Sequence, residues 1–101
     1  MFTLQASLEF DAWLANLTDT KAKARIVARL VSAELGNLGD CRPVGSLVSE
    51  MRIDVGPGYR VYFVRTGQFV YLLLLGGSKA SQKRDIVRAK VMAKAIGKAR
   101  T

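Results

Sequence analysis

The stretch that decides the fold runs from residue 50 to residue 65 and reads EMRIDVGPGYRVYFVR. Two runs of alternating residues flank Gly56-Pro57-Gly58, a strong turn signal, so the stretch predicts a β-hairpin. Successive side chains of a strand point to opposite faces of the sheet. The residues predicted on the buried face are Met51, Ile53, Val55, Val61 and Phe63. Those predicted on the open face are Glu50, Arg52, Asp54, Arg60 and Tyr62. Two arginines, a tyrosine and two carboxylates are therefore expected to meet on one exposed sheet surface, where they suit the handling of a phosphodiester.

Charge is distributed unevenly along the 101 residues. Sixteen Lys and Arg residues against eight Asp and Glu residues leave a net charge of +8. Residues 79–101 carry eight basic residues and one acid, whereas residues 1–78 carry eight basic and seven acidic residues. A basic C-terminal segment on a nearly neutral body favours a polyanionic partner, which can be nucleic acid, an acidic protein or both. A solvated helix face is the plain alternative.

Cysteine and histidine usage excludes several kinds of site. Cys41 is the one cysteine and the chain has no histidine, so neither an internal disulfide nor a zinc site is expected. Glu9 and Asp11 interrupt the apolar residues near the N-terminus, which argues against a signal peptide. The longest apolar run, residues 69–75, is too short to span a membrane. We expect a cytoplasmic protein with no metal, no small-molecule cofactor and no membrane partner.

Periodicity and capping residues predict the other elements. Ser7 can cap a first helix, Thr18-Asp19 can cap a second, and Gly36 supplies a left-handed end for the second. The run 69–75 is apolar without alternation, as is typical of a central strand buried on both faces, and Gly76-Gly77 is expected to end it. In the last helix the expected apolar side consists of Ile86, Ala89, Met92, Ala93 and Ile96. Its expected basic side consists of Lys83, Lys90, Lys94 and Lys98.

The element order predicts one α+β domain over residues 1–101. An N-terminal helical hairpin is expected to pack on a small, mostly antiparallel β-sheet, with a basic helix at the C-terminus. The predicted elements around the residue 50–65 hairpin and the central strand are an edge strand at 2–5, helices at about 8–17 and 21–35, a polar loop at 37–43 with Cys41 in it, a short strand at 44–48 and a helix at about 80–97.

Several segments resemble a known family. Residues 49–53 (SEMRI) and 56–62 (GPGYRVY) are similar to the RelE/HigB toxins of type II toxin–antitoxin pairs, and most closely to the phage-derived addiction module killer protein branch. The resemblance implies a RelE/ParE toxin-like fold, with the same element order as the predicted one. It also implies a cognate antitoxin encoded next to the toxin, often with a helix-turn-helix domain. The resemblance continues at 36–40 (GNLGD), 43–45 (PVG), 72–79 (LLLLGGSK), Gln82 and Asp85.

Metal-free RNA cleavage is the chemistry that these residues leave open. The 2′-hydroxyl would attack the adjacent phosphate, giving a cyclic phosphate and a free 5′-hydroxyl. Arg52 and Arg60 can stabilise the charge of the phosphorane, and Lys79 can do the same or act as a base. Tyr62 can stack on a base or supply a proton. These four are the predicted catalytic residues.

Other residues have supporting roles in this interpretation. Glu50 and Tyr59 are candidates for a base or an orienting group; a plain ion pair of Glu50 with Arg52 or Arg60, and a structural Tyr59, are the alternatives. Gln82 and Asp85 are expected to hydrogen-bond the sheet or to anchor arginine side chains. The predicted contacts to RNA or the ribosome are Lys83, Arg84, Lys90 and Lys94.

Three functions fit these features. The first is a ribosome-dependent mRNA endonuclease toxin that inhibits translation, with the ribosome, mRNA and an antitoxin as partners. The second is a gyrase-poisoning toxin on the same fold, and the third is a non-catalytic basic nucleic-acid-binding module. Arg52, Arg60 and Lys79 on one face favour the first, because a gyrase poison needs no such cluster.

Overall fold

Helices cover both faces of one five-stranded sheet in a computed structural model that describes residues 1–100 and the side chains of residues 1–97. The strands are β1 (Thr3–Ala6), β2 (Cys41–Gly45), β3 (Val48–Ile53), β4 (Tyr59–Gly67) and β5 (Val70–Ser78). The helices are α1 (Leu8–Asn16), α2 (Thr20–Glu34) and α3 (Gln82–Arg100), and a 3₁₀ turn (Lys79–Ser81) leads into α3. Lys98, on the predicted basic side of the last helix, lies outside the residues whose side chains are described.

The strands lie in the order β1-β5-β4-β3-β2. β1 runs parallel to β5, and the other neighbouring pairs are antiparallel. The predicted α+β class, with a mostly antiparallel sheet and a C-terminal helix, is confirmed. The hairpin of β3 and β4 is also confirmed, and β5 lies inside the sheet between β4 and the edge strand β1, as the unbroken apolar run indicated.

The glycines of β5 do not end the strand, so that prediction is wrong. Gly76 and Gly77 remain paired with Val61 and Arg60 of β4. A Cβ on Gly76 would lie 2.2 Å from the Trp13 ring, and a Cβ on Gly77 would lie 2.0 Å from Asp85 Oδ2. Two glycines in a strand here serve close approach, because they let side chains of α1 and α3 lie directly on the backbone.

The first two helices begin where capping chemistry predicts, and the second also ends where predicted. Ser7 Oγ accepts a hydrogen bond from Phe10 N, Asp19 Oδ1 accepts one from Ala22 N, and Gly36 follows α2 with a φ of +99°. Both helices contribute to a core on one face of the sheet, with Phe10 of α1 and Ile26 of α2 buried against β3, β4 and β5. Within the described residues, no helix is long and apolar enough to cross a membrane.

The second face of the sheet is covered by α3, and this overturns the prediction of an exposed polar surface. Ala89 of α3 packs with a core formed by Val48, Val64 and Leu74, and Ile86, Met92, Ala93 and Ile96 join it, as the helical spacing predicted. Beneath this helix, Glu50 and Tyr62 are each 0% exposed and Arg60 is 8% exposed. Alternation assigns these residues to the correct face, but it does not show that the apolar side of α3 covers that face.

The segment before the hairpin also differs from its prediction. Residues 41–45 form β2, so Cys41 lies in a strand and not in a polar loop. The predicted strand at 44–48 is interrupted by a turn, in which Ser46 and Leu47 have φ values of +54° and +65°. Positive φ is uncommon for residues other than glycine, so sequence patterning does not place a turn there. The consequence is an additional edge strand that brings Arg42 opposite Glu50.

Candidate functional site

A cavity of about 380 Å³ lies where the β3–β4 turn meets the start of the 3₁₀ turn. The backbone N–H of Lys79 donates to the carbonyl oxygen of Gly58 at 2.9 Å, so the two turns are held together. The hairpin thereby supplies most of the cavity wall, and the segment after β5 supplies the rest. The lining residues are Asp40, Arg52, Ile53, Asp54, Gly56, Pro57, Gly58, Arg60 and Lys79.

Three of the four predicted catalytic residues meet at this cavity. Arg52 and Arg60 are direct cross-strand partners on β3 and β4, and Lys79 follows Ser78, which pairs with Tyr59. Like charges directly opposite each other destabilise a sheet, so a pair of arginines at this position is unfavourable without an anion between them. The arrangement of three cations around one opening is suited to a phosphate group.

Arg52 has an acidic partner that the sequence did not identify. Its Nε lies 3.2 Å from Asp40 Oδ2, and both side chains are about half exposed, at 46% and 59%. An exposed ion pair of this kind contributes little to stability. Asp40 lies in the segment that was predicted as a loop. The one local feature that could have identified Asp40 is its position just before β2, and the start of that strand was predicted incorrectly.

Arg60 forms the buried wall of the cavity. Its Nη1 donates to the carbonyl oxygen of Tyr59 at 3.5 Å, a long hydrogen bond. Its Nε is buried and has no hydrogen-bond partner among the described residues. A Cβ at Gly58, whose φ is +82°, would lie 3.2 Å from Arg60 Nη1. Glycine therefore serves both the turn and the space that the guanidinium occupies.

Glu50 is a buried anion behind Arg60. Its Oε1 accepts from Arg42 Nε at 3.0 Å, its Oε2 accepts from Gln82 Nε2 at 2.9 Å, and Arg60 Nε lies 3.9 Å from Oε1. Burial raises the pKa of Glu50, but hydrogen bonds from Gln82 and Arg42 and the charge of Arg42 outweigh burial, so the pKa lies below its ordinary value. The contacts of this carboxylate suit an orienting group better than a general base. Of the two ion pairs that were the plain alternative, the one with Arg60 is present, and Arg42 takes the place of Arg52.

Neither predicted tyrosine lines the cavity. Tyr62 is fully buried under α3 with Val48, Val64 and Leu74, and its hydroxyl has no hydrogen-bond partner among the described residues. Burial, and then the neighbouring Glu50 carboxylate, raise the pKa of Tyr62. Tyr59 lies on the opposite face, where its ring packs edge-on against Trp13 with centroids 6.2 Å apart. An RNA base therefore cannot stack on Tyr62 in this structure. Tyr59 has a structural role in the core, which was the alternative given for it.

The basic residues of α3 divide into exposed and anchored groups. Lys83, Arg84 and Lys94 are exposed. Lys90 is half-buried and lies over the β2–β3 turn, with its Nζ 3.0 Å from the position of a Cβ on Gly45. Arg88 forms an ion pair with Glu9 of α1. Of the four residues predicted to contact RNA or the ribosome, three are therefore exposed and only Lys90 lies against the β2–β3 turn.

The two polar residues on the inner side of α3 have different partners: Gln82 binds the sheet, and Asp85 binds Ser81 and lies 4.0 Å from Arg84 Nε. Gln82 donates to Glu50 of β3, and Asp85, which is 7% exposed, accepts from Ser81 Oγ and lies against Gly77. Gln82 therefore has the sheet contact predicted for it. Among the described residues, no group of three or more His, Cys, Asp or Glu side chains could hold a metal ion.

Comparison with known proteins finds a relative that matches most of the chain. No model of a known protein family matches the chain. A protein from Haemophilus influenzae that bears the name "Uncharacterized protein" is 42% identical over 94 residues, which cover 93% of this chain and 95% of the relative.

Proposed function

We propose that this chain, which belongs to the same protein family as the Haemophilus influenzae protein, is the toxin of a type II toxin–antitoxin pair. It acts as a metal-independent, ribosome-dependent mRNA endonuclease and thereby inhibits translation. The observation that carries the proposal is the convergence of Arg52, Arg60 and Lys79 on one cavity. The resemblance of the sequence to the RelE/HigB toxins supports it. So does the RelE/ParE-like arrangement proposed for this chain, in which an N-terminal helical hairpin lies on the sheet.

The proposed reaction is transfer of the phosphate to the neighbouring 2′-hydroxyl. The 2′-hydroxyl gives its proton to water as its oxygen forms a bond to phosphorus. The bond from phosphorus to the 5′-oxygen breaks and that oxygen takes a proton from water, so the products are a 2′,3′-cyclic phosphate and a 5′-hydroxyl. The guanidinium groups of Arg52 and Arg60 and the ammonium group of Lys79 stabilise the charge that builds up on the phosphoryl oxygens. The cavity volume of about 380 Å³ is sufficient for a phosphodiester with part of its ribose.

The ribosome supplies what this site lacks. Neither Tyr59 nor Tyr62 lines the cavity, and the two carboxylates that do, Asp40 and Asp54, are exposed to solvent. Holding the mRNA in an in-line geometry can contribute a large part of the rate enhancement, and the ribosome would provide that geometry. The exposed cations Lys83, Arg84 and Lys94 are proposed to contact ribosomal RNA or mRNA.

The proposed setting follows from the same reading. The chain acts in the cytoplasm, and its inhibitor is a cognate antitoxin, with a helix-turn-helix domain, encoded beside it. Expressed without that antitoxin, the chain is expected to arrest growth.

A nucleic-acid-binding module without catalysis is the second candidate. It is favoured by one observation, which is that both tyrosines predicted for the site are buried in the two cores. In that case the cavity binds a phosphate of the nucleic acid and breaks no bond.

The first prediction separates these two candidates. Primer extension on a defined mRNA in a reconstituted bacterial translation reaction is expected to show breaks in the decoding site only when ribosomes are present. Arg60→Ala is expected to reduce cleavage about 100-fold or more, since one donor to the transition state is lost. Arg65→Ala is the matched control, because Arg65 lies on the same strand, is exposed and contacts only the carbonyl oxygens of the β4–β5 turn among hydrogen-bond acceptors.

The outcomes are distinct. Intact mRNA in the presence of ribosomes and wild-type chain would contradict the ribonuclease proposal. A DNA supercoiling assay would then test gyrase, and RNA affinity that falls in Arg60→Ala would favour the binding module.

A further inference from the structure

A fully buried carboxylate lies next to a cluster of cations, and its position has a cost. Glu50 is 0% exposed, and burial of a charge is unfavourable unless other groups compensate. An apolar side chain could pack at the same position in β3 between the neighbouring residues of the core. Arg42 and Gln82 compensate for burial and keep the charge in place, but they do not explain why a charge is there.

Arg60 needs an anion on its protein side. Arg52 lies directly opposite it across the strands, and Lys79 lies on the other side of Gly58. Both cations repel the Arg60 guanidinium, whose only hydrogen bond to the described residues is the long one to Tyr59. Glu50 Oε1, 3.9 Å from Arg60 Nε, is the carboxylate oxygen in ion-pair contact with it. Arg60 therefore has the Glu50 carboxylate on its interior side and lines the cavity on its other side.

We propose that Glu50 is a positioning residue that acts on RNA through Arg60. Its carboxylate holds the guanidinium against the repulsion of Arg52 and Lys79, so that the free N–H groups of Arg60 face the phosphate in the cavity. Gln82 assists by fixing the second oxygen of Glu50. The inference rests on the proposed function only in taking an RNA phosphate as the anion.

The sign of one charge change distinguishes this role from simple electrostatics. Glu50→Gln removes a negative charge from a basic protein, and long-range attraction alone would then strengthen binding to RNA. Loss of positioning has the opposite effect, because Arg60 no longer meets the phosphate in a fixed orientation. The direction of the change in affinity is therefore sufficient to decide between the two.

The experiment measures binding of a short 2′-O-methyl RNA, which cannot be cleaved by 2′-hydroxyl attack, by fluorescence anisotropy at one fixed salt concentration. Glu50→Gln is expected to raise Kd about tenfold, and Arg60→Ala by a similar factor. In the Arg60→Ala background, Glu50→Gln is expected to change Kd by less than about twofold, since the two residues act as a unit. In the Arg52→Ala background, where one of the two repelling cations is gone and Lys79 remains, it is expected to raise Kd by a factor between about twofold and about tenfold.

Asp54→Asn is the matched control. Asp54 directly follows the strand that holds Glu50, is exposed and lines the same cavity. Its substitution therefore makes the same charge change without disturbing a buried pair with Arg60. This variant is expected to bind the RNA more tightly. Gln82→Ala, which leaves the Glu50 charge in place, is expected to raise Kd by a smaller factor and serves as the test if Glu50→Gln does not fold.

A second readout does not depend on RNA. In the wild-type chain the Nε–H signal of Arg60 in a ¹H–¹⁵N spectrum is expected to be resolved and slow to exchange, and in Glu50→Gln it is expected to move to the position of mobile arginines. A tighter RNA complex of Glu50→Gln, additive losses in the double variant or an unchanged Arg60 signal would each overturn the proposal. Intact mRNA on ribosomes together with the expected Kd pattern would refute the ribonuclease function and leave the positioning role standing.

Discussion

At the scale of single residues, Glu50 links folding to pH. Burial raises its pKa, and hydrogen bonds from Gln82 and Arg42 together with the Arg42 charge lower it by more, so the folded-state pKa lies below the ordinary 4.5. A carboxyl group whose pKa is lower in the folded state stabilises the fold when it is ionised in both states. That contribution is complete above the ordinary pKa and is lost as the pH falls through the folded-state value.

We therefore predict that acid destabilises the wild-type chain more than Glu50→Gln. Urea unfolding at pH 7 and at a series of pH values below 4.5 measures the free energy of unfolding of each protein. Wild type is expected to lose stability over this range, and the variant, which has no carboxyl group at position 50, is expected to lose less. Parallel pH profiles for the two proteins would show that Glu50 has the same pKa in the folded and unfolded states.

At the scale of elements, strand β5 is a platform on which two helices lie directly. Trp13 of α1 contacts Gly76 on one face, and Asp85 of α3 contacts Gly77 on the other. An aromatic ring and a carboxylate thus take the space of two absent side chains. This close contact brings α3 near enough to the sheet for Gln82 to reach Glu50.

We predict opposite results from the same substitution at two glycines. Gly76→Ala is expected to lower the free energy of unfolding by about 2 kcal/mol, because its Cβ would overlap the Trp13 ring and force α1 to move. Gly97→Ala in α3 is the control. Nothing lies within 4 Å of its Cβ, so the gain in helix propensity is expected to be neutral or to stabilise by up to about 1 kcal/mol. Thermal unfolding of both variants checks the prediction, and equal effects would mean that Trp13 is free to shift.

At the scale of the whole molecule, the positive charge is concentrated on α3 and around the cavity. Between Ile86 and Gly97 the helix has no acidic residue, and Lys83, Arg84 and Lys94 are exposed. A nucleic acid that follows this surface would release counterions from several phosphates. If net charge alone determined binding, the affinity for nucleic acid would depend less on which lysine or arginine is removed.

We predict that salt dependence reports this location. The slope of log Kd against log salt concentration is expected to fall by about 1.4 when Lys83 and Arg84 are both replaced by Ala, from about 0.7 for each phosphate contact to single-stranded RNA. Lys21→Ala with Arg25→Ala on α2 makes the same change in net charge on exposed residues of another element. An equal reduction of the slope in both double variants would indicate a diffuse electrostatic effect and not a contact by α3.

The local parts of this structure could be predicted from the sequence, and its long-range contacts could not. Ser7, Asp19 and Gly36 act within a few residues of their own position, so capping chemistry is sufficient to place the helix ends. Alternation likewise assigns the two faces of the hairpin. Burial of Tyr62 depends on α3, which lies some twenty residues further along the chain, and no local pattern contains that information.

The candidate site shows the same division. Arg52 and Arg60 were predicted together because the hairpin brings them into register. Lys79 was predicted beside them although the strand before it continues through the glycines to Ser78. Asp40 and Arg42 were missed, because the strand that positions them begins in a segment whose Gly39 and Pro43 are typical of a loop. The pairing of Glu50 with Gln82 joins residues 32 positions apart, and only the tertiary structure shows it.

The hydrogen bond between Gln82 and Glu50 has a consequence for inhibition. One partner of this bond lies at the first residue of α3, and the other lies under the helix beside Arg60. A protein that shifted the first turn of α3 by one or two ångströms would break the bond and loosen the guanidinium. We propose that an inhibitor of this chain, such as the proposed antitoxin, has two routes. It can fill the cavity, or it can displace the first turn of α3 and leave the cavity empty but without a fixed Arg60.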